Sequence, residues 1–90
     1  MMKSYNWTWY SNTYCEKIKL IDNSENNTLC IYEAFDNTEY NTTYFIVYKD
    51  EVVFESFNFD GIVYKFYGML DLLKYLTEKG EIKWKIKNYM

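Results

Sequence analysis

The stretch "FNFDGIVYKFYGMLDLLKYLTEK", residues 57–79, decides the fold because it can be read with either of two periods. Read outward from Asp60-Gly61 it is a hairpin. Asp-Gly between alternating apolar runs is a strong tight-turn signal, since both turn residues take positive φ. Ile62, Val63, Tyr64, Phe66 and Tyr67 favour strands, and Gly68 supplies a break. Read with a period of 3.6, Asp60 becomes a helix N-cap, and Ile62, Phe66, Met69, Leu73 and Leu76 share one stripe. The β-forming residues and Gly68 favour the hairpin. A helix then begins at Met69 and runs to Lys79, with Met69, Leu72, Leu73 and Leu76 spaced i, i+3, i+4 and i+7. Asp71 lies in its first turn, Lys79 in its last, and Gly80 stops it.

Upstream, the pattern has period two, the mark of half-buried strands. Tyr5, Trp7 and Trp9 alternate with Asn6, Thr8 and Tyr10 in an expected first strand. Ile18 and Leu20 alternate with Lys17 and Lys19 in a second, and "TLCIYEAF" (28–35) is a third. "TYFIVYKDEVVFESFNF" (43–59) reads as two strands about the turn Lys49-Asp50-Glu51. Tyr44–Tyr48 is apolar or aromatic on both faces and is therefore a central strand. At the end, "EIKWKIKNY" (81–89) returns to strand. Ile82, Trp84 and Ile86 turn inward, and Lys83, Lys85 and Lys87 blunt an edge. The expected fold is α+β: one domain over residues 1–90, an antiparallel sheet of five to seven short strands, and a single helix (69–79) on one face. The other face would be open and carry tyrosines and acids.

Composition narrows the chemistry. Ninety residues hold one core. Aromatics are 22 % of the chain, with 11 tyrosines, more than a small core hides, which points to an interface. Net charge is −3, divided unevenly: residues 1–60 carry four Lys against ten acids, and residues 61–90 carry six Lys against three. There is no Arg, hence no guanidinium fork for phosphate or guanine. There is no His, hence no Ser-His or Cys-His pair and no imidazole metal ligand. No catalytic set, metal site or cofactor motif is expected. Glu33 and Glu55, the one acid–base pair worth weighing, read instead as outward positions on alternating strands. Cys15 and Cys30 read as small hydrophobes in adjacent strands, a loop-closing disulfide being the alternative. No apolar leader or membrane-spanning run is evident, so the expected location is the cytoplasm.

Binding surfaces remain. Acids concentrate mid-chain with only Lys49 among them, a field that attracts a basic protein and repels nucleic acid. The expected partner-binding set is Glu33, Asp36, Glu39, Asp50, Glu51, Glu55 and Asp60, with Tyr40 and Tyr48. In overall profile (one short acidic domain, crowded with Tyr and Asn and lacking a catalytic set) the chain resembles small inhibitors that bacteriophages encode against host defences, the anti-CRISPR proteins. That resemblance implies stoichiometric binding to a basic, nucleic-acid-handling host protein in the host cytoplasm, blocking substrate entry or a conformational step. An alternative is a single-strand nucleic-acid binder using Trp7, Trp9 and the terminal lysines. An immunity-type antidote shares the acidic physics. A homodimer through terminal edge strands is left open.

Overall fold

The computed structural model describes residues 5–79 of the chain. Among them, four strands form one antiparallel meander in the order β1-β2-β3-β4: β1 Cys15–Asn23, β2 Leu29–Asp36, β3 Asn41–Tyr48 and β4 Glu51–Ser56. Helix α1 (Trp7–Tyr14) precedes the sheet and α2 (Phe59–Glu78) follows it. The class is α+β, with a helix on each face of the sheet.

β3 is the central strand its sequence implies, with Phe45, Ile46, Val47 and Tyr48 all buried. Alternate residues project to opposite faces. Ile46 and Tyr48 join Leu29, Ile31 and Val53 beneath α2, whereas Phe45 and Val47 join Ala34, Val52 and Trp7 beneath α1. The β3–β4 turn places Lys49 and Asp50 at φ 49° and 65°, and Glu51 already belongs to β4. Two positive φ values are what a two-residue hairpin turn matched to strand twist requires. One bulge follows: Ile46 opposes Phe54 and Val47 opposes Val52, so Val53 is an extra residue. Val53 and Phe54 consequently both pack on the α2 side. β1 carries two register shifts and Lys17 at φ 52°, which bend it and discourage further strand pairing along its outer edge.

Two expectations are overturned. The Trp7–Trp9 alternation belongs to a helix. Trp7 and Ser11, four residues apart, turn inward in α1, and Trp9 faces solvent. The Asn6 side chain caps this helix by accepting the Trp9 N–H at 2.7 Å. Asp60-Gly61 is likewise no hairpin. α2 runs unbroken for 20 residues through Gly68, capped by Asn58, whose side chain accepts the Gly61 N–H at 2.9 Å. Asp60 lies in its first turn, and Asp71 in mid-helix. Ile62, Phe66, Met69, Leu73 and Leu76 are all buried. Strand preference spans about 1 kcal/mol per residue, whereas burying each such side chain is worth about 1.5–3 kcal/mol, so the stripe wins.

The sheet therefore has four strands among the described residues rather than five to seven. Its second face is covered by α1 instead of open. The expected strand at 81–89 and the stop at Gly80 lie outside the described residues. No described helix is long and apolar enough to cross a membrane.

Gly68 sits mid-helix, and apart from its chain neighbours and the adjacent helical backbone no heavy atom of the described residues lies within 4 Å of where a Cβ would stand. Gly68→Ala should therefore raise the free energy of unfolding by about 0.5–1 kcal/mol, read from the urea midpoint. Phe66→Ala, in the core, should lower it by about 3–5 kcal/mol. A lower midpoint for the glycine variant would show that the helix needs the gap.

Candidate interaction surfaces

Several of the expected binding acids are consumed inside the fold. Asp50 is the clearest case. Its carboxylate accepts the Thr8 N–H at 3.1 Å, the Thr8 hydroxyl at 2.7 Å and the Asn6 side-chain amide at 2.6 Å. Its backbone carbonyl accepts the Trp7 N–H at 2.8 Å. A carboxylate at a helix N-terminus satisfies orphan N–H groups and complements the macrodipole. Asp50 thus fastens the β3–β4 turn to α1. The short segment before α1 also lies along β4, with the Val52 N–H donating to the Tyr5 carbonyl at 2.8 Å and Asn6 bridging to Glu51.

Asp36 is fully buried on the α1 side, where it accepts the Tyr10 hydroxyl at 2.8 Å and the Thr38 N–H at 2.8 Å. Burial pushes this carboxyl up, but the Thr38 and Tyr10 hydroxyls and the Thr38 and Glu39 amides outweigh it, so Asp36 titrates below the ordinary value. The same environment raises its neighbours. Burial lifts the Tyr10 phenol to about 12, against a lowering hydrogen bond from Thr38 and with help from Asp36. Burial, then the Asp36 and Glu55 charges, lift the Cys15 thiol to about 11. Burial also raises Cys30, and both cysteines are free. They cannot pair: Cys15 opposes Asp36 and Cys30 opposes Asn23, at opposite ends of the β1–β2 ladder.

Glu33 and Glu55 lie on opposite faces of the sheet. Glu33 accepts the Tyr44 hydroxyl at 2.8 Å beside α2, and Glu55 accepts the Tyr5 hydroxyl at 3.1 Å beside α1. They form no acid–base pair. Tyr48, expected at a partner surface, is only 2 % exposed and sits in the core, its hydroxyl without a hydrogen-bond partner among the described residues. The expected site thus does not assemble as one patch. Glu39 and Tyr40 are exposed in the β2–β3 turn, Tyr40 at 82 %. Glu51 lies at the opposite end of β3, and Asp60 is exposed on α2. Of the two tryptophans expected to contact single-stranded nucleic acid, Trp9 is exposed but Trp7 is buried against Tyr32 and Phe45, at centroid distances of 4.9 and 4.8 Å.

A surface unmarked in the chain replaces it. Asp60, Tyr64, Tyr67, Asp71, Tyr75 and Glu78 occur at i, i+4, i+7, i+11, i+15 and i+18, which is one stripe of α2. Every one is exposed, Tyr64 at 85 %. The stripe lies opposite the buried one, and reading the stretch as a helix from Asn58 would have exposed it. Beside it, a groove of about 660 Å³ runs between α2 and the β1–β2 loop, lined by Asn23, Ser24, Leu70, Leu73, Lys74 and Thr77 among others. Among the described residues, no three His, Cys, Asp or Glu side chains converge to hold a metal ion.

Comparison of the chain with protein-family models, with curated proteins and with solved structures finds no match.

Two measurements check the internal roles of the acids. Because Asp36 is depressed in the folded state, its contribution is complete above the ordinary carboxylate pKa and is lost as pH falls through the folded value. Asp36→Asn should cost about 1–3 kcal/mol at neutral pH and flatten the acid limb of the stability curve below about pH 4. Asp50→Gly keeps the positive φ but removes the carboxylate. It should cost about 1–2 kcal/mol and speed amide exchange in α1 while leaving α2 unchanged.

Proposed function

We propose that the chain is a non-enzymatic binding protein that captures a basic protein surface and inhibits a nucleic-acid-handling host protein, in the manner of the phage anti-defence inhibitors it resembles. The observation that supports this reading is the outward stripe of α2, in which three acids and three tyrosines share one exposed helical face. From Asp60 to Glu78 it extends about 27 Å. The carboxylates along it can pair with lysine or arginine of a partner, although Lys65, Lys74 and Lys79 of the same helix balance them in number. The tyrosines between them offer contact area at low conformational cost, as interface anchors do. The proposed binding face is accordingly α2, joined by the exposed Glu39 and Tyr40, rather than the internal Asp36, Asp50 and Tyr48.

An antidote to a basic toxin would use the same physics, and the partner's identity separates the two. The test is capture from host lysate with the wild type and with the triple variant Asp60→Lys, Asp71→Lys, Glu78→Lys, folding being verified by circular dichroism. Loss of about tenfold or more of the captured basic protein is expected, with Glu39→Lys having a smaller effect. Undiminished capture by the triple variant would sink the reading. Salt-dependent quenching of the exposed Trp9 by oligonucleotides would favour nucleic acid instead.

A further inference from the structure

We infer that the groove between α2 and the β1–β2 loop receives the chain's own segment 81–89, with Trp84 seated on Leu70 and Leu73. The inference does not rest on the partner reading of α2. The groove, of about 660 Å³, has Leu70 and Leu73 on its α2 side and Asn23, Ser24, Asn26 and Thr28 on its loop side. The loop's polar groups are largely spent on one another. The Asn26 side-chain oxygen accepts the Thr28 N–H at 3.2 Å and the Thr28 hydroxyl at 2.6 Å, and the Ser24 hydroxyl accepts the Leu29 N–H at 3.0 Å. Over a leucine floor, such a groove suits an apolar side chain better than a hydrogen-bonding ligand.

Position, reach and pattern make the occupant the chain itself. Thr77 and Glu78, at the end of α2, line the same groove, so the segment that follows leaves from its rim. Gly80 is the residue type that reverses a chain after a helix. Five residues past Lys79, Trp84 can lie up to about 17 Å away, and Leu73 is about 9 Å back along the helix axis. Ile82, Trp84 and Ile86 alternate with Lys83, Lys85 and Lys87, so an extended run has one apolar side and one charged side. A tether this short supplies that apolar side at millimolar effective concentration, which a foreign chain or a second copy must exceed. The other exposed apolar berth, Ile18 and Leu20 on β1, is the poorer one, because register shifts and the positive φ of Lys17 interrupt that strand.

The test is nuclear Overhauser spectroscopy on the full chain, with amide protection measured for the wild type and for Trp84→Ala. Cross-peaks from the Trp84 indole to the Leu70 and Leu73 methyls are expected, and they should persist on dilution. Trp84→Ala should lower the protection of residues 70–77 by about tenfold or more, while residues 45–48 in the sheet keep theirs. Thr77→Phe, which sets a ring into the groove from α2, should remove the cross-peaks and leave the helix folded. Absence of the cross-peaks in the wild type overturns the inference, and that result needs no variant to fold. Undiminished protection in Trp84→Ala overturns it too, as do cross-peaks from Trp84 to Ile18 or Leu20 instead. Cross-peaks that fade on dilution make the occupant a second copy, and the inference fails. The partner reading stands or falls separately, on the lysate capture.

Discussion

The structure depends on β3 being apolar on both sides. Phe45 and Val47 face one way and Ile46 and Tyr48 the other, and none can be left in water. A meander with such a strand near its centre requires a cover on each face. α2 supplies one with five buried apolar side chains. α1, only eight residues long, supplies the other chiefly through Trp7. A helix that short has little stability of its own in water. It persists because Asn6 and Asp50 satisfy its N-terminal amides and because Trp7 stacks on Tyr32 and packs on Phe45.

Acidic charge in this chain therefore has two uses. Asp36 and Asp50 are structural acceptors that hold the β2–β3 and β3–β4 turns against α1. Glu33 and Glu55 are engaged by tyrosine hydroxyls on opposite faces. The acids that remain on the outside of α2 share a stripe with three tyrosines, and Lys65, Lys74 and Lys79 are exposed on the same helix. The mid-chain excess of negative charge is thus partly an internal hydrogen-bonding device, and the binding face proposed here is carried by the helix that the buried stripe orients.

The strands were legible wherever a two-residue period was confined to one element. β2 and β3 follow the alternation, β4 departs from it at the Val53 bulge, and the central place of β3 follows from apolar residues on both its faces. The failures share a cause: aromatic and β-branched residues signal strand by propensity, yet the same residues can satisfy a helical period. In 62–67 the period of Ile62 and Phe66, continued by Met69, Leu73 and Leu76, outweighed local preference and the glycine at 68. In 7–14 a single buried tryptophan and a carboxylate 42 residues away did the same.

By itself the sequence determined the α+β class, the strands that became β2, β3 and β4, the double-sided burial of β3 and the absence of histidine and arginine side chains. Each of these follows from residue types and their local periods. Only the tertiary structure decided that Trp7 is core and Tyr64 is surface, that Asp50 caps a helix and Asp36 is buried, and that the cysteines stand apart. Those outcomes depend on which distant groups meet. A carboxylate's role is set by the donors around it, and these lie 42 residues away for Asp50 and 26 for the Tyr10 bond to Asp36.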